Sequence, residues 1–194
     1  MLLGNRSAGG WLWDFANGFG FAAFAGLIYL GIQGTQRQLQ QIHKLFSYAV
    51  TTLLAAHIVL LLLSDSIVIE YLLPGAPLFM WAGTLALLML AFIVLSAAPA
   101  LRKNSYTDLT AFRRWHKPLS WLLIVCAGYH IVGSQFYIRH PVQWLALALL
   151  LLPLLLPASR KRSLALTAYS PWLFLMLGLA SAGLLTLVLN GPAS

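Results

Sequence analysis

Six apolar runs set the first limit on what this chain can become. They cover about residues 13–33, 38–63, 77–98, 112–134, 142–158 and 170–190 of the 194. A hydrocarbon core of roughly 30 Å takes about 20 helical residues to cross. Within it, backbone amides must pair inside the protein, so only helices and closed barrels span it. Barrel strands alternate apolar and polar residues, and these runs do not. The expectation is an all-α fold in one domain, residues 1–194. It is an integral membrane bundle of six transmembrane helices with its core over about 11–190. Only 8% of the residues are charged, where a soluble domain carries about a quarter. The fifth run is short and holds Pro153, which predicts a kink or tilt. Proline and glycine mark the joins "LLPGAP", "HP" and "SPW".

The net charge of +8 would suggest nucleic acid as a partner if the basic residues formed a soluble patch. They lie instead between apolar runs, so the expected partner is lipid and not nucleic acid. Three connections hold most of them: Arg37 and Lys44; Arg102, Lys103, Arg113, Arg114 and Lys117; and Arg160, Lys161 and Arg162. The opposite side holds Arg6 and Arg139 with Asp14, Asp65 and Glu70. Positive residues favour the cytoplasmic side. The sequence thus predicts a multi-pass protein of the bacterial inner membrane with both termini periplasmic. Trp11, Trp13, Trp115 and Trp172 near run ends suit an interfacial belt. A single cysteine, Cys126, excludes an internal disulfide and a thiolate metal cluster. No signal-peptide cleavage pattern and no glycine-rich nucleotide loop is present.

Two segments then repeat one another. "HKLFSYAVTTLLAAHIV" runs from His43 to Val59, and "HKPLSWLLIVCAGYHIV" from His116 to Val132. Each reads His-Lys-x-x-Ser-aromatic, eight residues, His-Ile-Val. His43 thereby matches His116, Lys44 matches Lys117, Ser47 matches Ser120, Tyr48 matches Trp121, and His57 matches His130. A spacing of 14 residues falls just short of four helical turns. Both imidazoles of a segment therefore project from nearly one face, about 21 Å apart along the axis. The second and fourth runs point the same way across the membrane. Side by side, they bring His43 opposite His116 near the cytoplasmic edge and His57 opposite His130 near the outer edge.

Each such pair suits one flat group held between helices two and four. Neutral imidazole is a good ligand for haem iron, and two axial histidines leave no open position. The expected cofactors are two b-type haems with axial pairs His43–His116 and His57–His130. A covalent c-type haem is excluded, because no Cys-x-x-Cys-His sequence occurs. Lys44, Arg113, Arg114 and Lys117 flank the inner pair and are candidates to neutralise haem propionates, although the orientation signal alone also explains them. Tyr137, Arg139 and Gln143 are weaker candidates at the outer pair. Gly128 and Gly133 flank His130 and would give a macrocycle room, or serve close helix packing. His140, next to Pro141, reads as a helix start. The competing role for the four histidines is an interhelical hydrogen bond, a proton path or a small metal site.

These residues, with the "FRRWHKPLS" stretch that opens the fourth run, resemble the ferric reductase-like transmembrane domain family. That family includes the membrane parts of ferric reductases and NADPH oxidases, and the haem-bearing partner of the periplasmic methionine sulfoxide reductase. The resemblance covers roughly residues 11–190. It implies electron transfer from a cytoplasmic or membrane donor, through two b haems, to a periplasmic acceptor. Larger members carry a flavin and nicotinamide domain after the last span, and this chain ends at "NGPAS". The implied donor is therefore a separate reductase, a membrane flavin or a quinol. The implied acceptor is ferric iron, a ferric siderophore or a periplasmic redox protein. The expected activity is that of a ferric reductase-like oxidoreductase or of the electron-transfer subunit of one. A haem-free transporter or assembly scaffold competes with both. The scarcity of acidic residues within the runs counts against its proton path.

Overall fold

The computed structural model describes residues 10–33, 40–64, 66–98, 109–135, 138 and 141–157, together with 172, 173, 176, 178 and 180. Five α-helices make up the described fold: α1 (Gly10–Gln33), α2 (Gln40–Ser64), α3 (Leu78–Ala97), α4 (Leu109–Ser134) and α5 (Pro141–Leu155). A short 3-10 segment, Ser66–Leu72, follows α2. The chain then turns through Pro74 and Gly75, where the Ala76 amide donates to the Leu73 carbonyl at 2.9 Å. α4 closes at Gln135, whose φ of 51° is the left-handed conformation that often ends a helix.

The all-α expectation agrees with this architecture, and the six-span bundle does not. Among the described residues, three helices are long and apolar enough to cross a membrane: Leu12–Gln33 within α1, all of α2 and all of α3. α4 has 26 residues, but its first turns carry Arg113, Arg114, His116 and Lys117. Those side chains, with Pro118 inside the helix, break the apolar stretch that a span requires. α5 has 15 residues, about 22 Å of helix, which is short of the hydrocarbon thickness. Most of the expected sixth run, 170–190, lies outside the described residues. Of that run, Gly178 is buried in helical conformation, and its Cα faces Ala22 and Ala25 of α1.

The helices pair as hairpins: α1 packs mainly on α2, and α3 mainly on α4. α1 also meets α4 and α5, which places it at the centre. Its sequence explains that position. Ala16, Ala22, Ala23 and Ala25 are buried and small enough for neighbours to approach the helix on several sides. Gly26 admits the Val50 side chain of α2, and Gly31 lies against Ile124 of α4. The core continues through Ile28, Tyr29, Phe46, Met89, Leu90 and Leu123. Trp13 belongs to this buried set and not to an interfacial belt, whereas Trp115 and Trp172 are exposed. α2 and α3 turn rows of leucine, phenylalanine and valine outward, the composition of a face covered by lipid.

Candidate haem-binding site

The two repeated segments fall on α2 and α4, and the structure brings their histidines to facing positions. The ring centroids of His43 and His116 lie 6.3 Å apart. His57 and His130 line the same cavity. The expectation that α2 and α4 pack side by side needs correction, since neither is the other's main partner. α1 and α3 fill that role, and a space is left between the two histidine-bearing helices. It forms a cavity of about 200 Å³. The walls are largely apolar, with Phe21, Phe24, Leu54 and Ile131 prominent. Two of the polar wall residues are occupied within their own helices. Asn17 donates to the Trp13 carbonyl at 2.8 Å and Thr84 to the Met80 carbonyl at 3.2 Å.

Each imidazole at the second pair is braced by the helix before its own. The Nδ1–H of His57 donates to the Ala16 carbonyl at 2.8 Å, and that of His130 to the Phe79 carbonyl at 3.0 Å. Four residues after each carbonyl comes a glycine, Gly20 on α1 and Gly83 on α3. A Cβ at Gly20 would lie 2.9 Å from the His57 ring, and one at Gly83 would lie 2.7 Å from the His130 ring. The two hairpins thus share one arrangement: a carbonyl and a bare glycine on the first helix receive an imidazole from the second. A carbonyl only accepts, so it fixes the proton on Nδ1 and leaves Nε2 unprotonated as a potential metal ligand.

At the first pair the bracing differs. His43 Nδ1 donates to the side-chain oxygen of Gln33 at 3.2 Å. His116 Nδ1 is buried with no hydrogen-bond partner among the described residues, and its ring leans on Phe112 at 4.8 Å.

These features fit a haem held by two axial histidines. Metal–imidazole bonds of about 2 Å, with about 1 Å more from each nitrogen to its ring centre, separate two axial rings by roughly 6 Å. The first pair has that separation. The second pair has the fixed Nδ1 tautomers and an apolar cavity in which to hold a macrocycle. No group of three or more His, Cys, Asp or Glu side chains gathers among the described residues. A site built on several protein ligands is therefore not formed there, whereas a haem needs only two.

The remaining candidates separate. Lys44, Arg113, Arg114 and Lys117 are all exposed and cluster with the first pair along α2 and α4. Gln143 is buried at the start of α5 and does not line the cavity. Tyr137, Arg139 and His140 lie outside the described residues. Gly133 faces Phe79, and a Cβ at Gly128 would lie 3.7 Å from Phe24, so both positions belong to helix packing. The repeated serines bond back within their own helices, Ser47 to the Lys44 carbonyl and Ser120 to the His116 carbonyl, each at 2.8 Å. Sequence reading missed Ala16, Gly20, Phe79, Gly83 and Gln33. A glycine in an apolar helix is a weak packing signal, and nothing in the sequence ties one to a histidine on another helix. No protein-family model, curated protein or solved structure matches the chain.

Proposed function

We propose that this chain is a membrane electron carrier that holds two b-type haems, one between His43 and His116 and one between His57 and His130. The observation that carries the reading is the facing of matched histidines from two repeated segments, with three of the four Nδ1 atoms already committed to acceptors. When bound, each haem supplies a one-electron carrier with no open iron position, suited to passing electrons on rather than binding substrate. The protein's part is to orient the imidazoles, keep them neutral and keep water from the apolar cavity. The exposed Lys44, Arg113, Arg114 and Lys117 support reading the first pair as the cytoplasmic end. Electrons then run from a cytoplasmic or membrane donor, a reductase, flavin or quinol, towards a periplasmic acceptor such as ferric iron, a ferric siderophore or a redox protein. The reading is that of a ferric reductase-like electron carrier of the bacterial inner membrane.

The test is direct. The chain, purified after expression with ample haem supply, should show a b-type reduced spectrum and two haems per polypeptide. A preparation with no Soret band would end the proposal. Reconstituted in vesicles with an internal reductant, it should reduce a ferric chelate added outside.

A further inference from the structure

We infer that Gln33 is a positioning residue that orients His43 and sets the reduction potential of the first haem alone; this rests on the haem reading above. The four histidines are not braced alike. His57 and His130 are held by main-chain carbonyls, which no substitution removes. At the first pair, the Gln33 oxygen is the acceptor for His43, and His116 Nδ1 has none among the described residues. Gln33 is therefore, among the described residues, the one side chain through which sequence controls an imidazole's proton at these pairs.

Its setting is a built one. Gln33 is 1% exposed at the end of α1, and so is Tyr29 one turn earlier. The Gln33 amide nitrogen donates to the Tyr29 hydroxyl at 3.5 Å while its oxygen accepts from His43. The Tyr29 ring is itself set edge-on to Phe46 at 5.0 Å. A buried amide is unfavourable unless both its ends are paired, and this one is paired towards an imidazole of α2. An acceptor on Nδ1–H makes the other nitrogen a stronger electron donor and fixes the ring's orientation. A stronger donor favours oxidised iron and lowers the potential. Removing the acceptor should raise the potential of the first haem, and strengthening it should lower that potential further. The second haem, braced by backbone, should not respond.

The experiment is an optical redox titration of the haem-loaded full chain at mildly alkaline pH, with electron paramagnetic resonance of the oxidised form. Gln33→Met keeps the bulk and loses the acceptor; Gln33→Glu keeps the shape and strengthens it. The expected result is one midpoint potential moving up in the first variant and the same one moving down in the second, with changed low-spin signals for that haem only. Selective loss of one haem from Gln33→Met also supports the inference, since it reports a mispositioned His43. Two retained haems with unmoved potentials overturn it and leave the haem reading standing. Shifts of the same sign in both variants, equal shifts of both haems, or loss of both haems from both variants overturn it too, because they indicate a packing role. An unsubstituted chain that binds no haem overturns this inference and the proposed function together.

Discussion

Gly83→Ala tests the geometry of the second pair most sharply. The added methyl would meet His130 at 2.7 Å from Nδ1, 2.9 Å from Cγ and 3.0 Å from Cε1. Ordinary carbon contacts begin near 3.4 Å, so the ring must retreat by at least about 0.7 Å. It has no flexible end with which to do so, because Nδ1 is tied to the Phe79 carbonyl of the same helix at 3.0 Å. Retreat by that amount stretches the bond beyond hydrogen-bonding range. Overpacking costs about 1–3 kcal/mol and the lost bond about 0.5–1.5 kcal/mol. Replacing glycine within a helix returns about 1 kcal/mol. The balance is a loss of about 0.5–3.5 kcal/mol, or roughly 2- to 400-fold weaker binding of one haem. Haem per chain, measured after dialysis against a haem scavenger, should fall towards one in Gly83→Ala and stay at two in Gly128→Ala. Among the described residues the Gly128 methyl would meet only Phe24, at 3.7 Å. A second readout needs no haem. In a His130→Ala background the same glycine change should cost nothing and bring the helix gain, because the atoms it strikes are gone. If Gly83→Ala keeps two tightly held haems, or costs as much without the His130 ring as with it, the docking of His130 on α3 is wrong.

Other expectations follow from the same contacts. His57→Ala or His130→Ala should remove one haem and halt transfer to an outside acceptor while the other haem is partly retained, as a haem assay with stopped-flow reduction will show. Gly20→Ala should reproduce Gly83→Ala through His57, since its Cβ would come within 2.9 Å of that ring. Ser47→Ala and Ser120→Ala should leave haem content and both potentials unchanged, because each hydroxyl serves only its own helix. Single replacement of Lys44, Arg113, Arg114 or Lys117 by glutamine should weaken haem retention less than tenfold. Exposed ion pairs contribute only about 0–1 kcal/mol, and all four side chains are exposed.

The helices and the histidines were legible in the sequence for different reasons. Hydropathy located the helices: the run at 77–98 became Leu78–Ala97 and that at 38–63 became Gln40–Ser64. It overstated how many of them span. A run such as 112–134 contains enough leucine and valine to read as one, although Arg113, Arg114, His116 and Lys117 occupy its own first turns and interrupt the apolar stretch. The repeat located the four histidines because chemistry and spacing coincided. It gave no account of what holds them. The supporting groups are main-chain carbonyls, which have no sequence signature, and the absence of a side chain at two of 15 glycines. Gln33 is the last residue of the first apolar run, and only the fold shows that α1 ends where α2 presents His43.

Taken together, these contacts extend the repeat beyond the segments in which it is visible. Sequence identity links α2 to α4 alone. The carbonyl-and-glycine seat links α1 to α3 with equal definition, although Ala16-Asn17-Gly18-Phe19-Gly20 and Phe79-Met80-Trp81-Ala82-Gly83 share only the final glycine. The structural unit is therefore a helix pair: the first helix supplies the seat and the second supplies the histidines. Two such units enclose the cavity with their histidine faces inward. The requirement on the first helix falls on backbone and empty space, so its side chains can vary without disturbing the imidazole. The second helix must supply the ring nitrogens themselves, and there the sequence is held. The departure at the first pair, a glutamine on one side and no acceptor among the described residues on the other, is what makes the two histidine pairs chemically unequal.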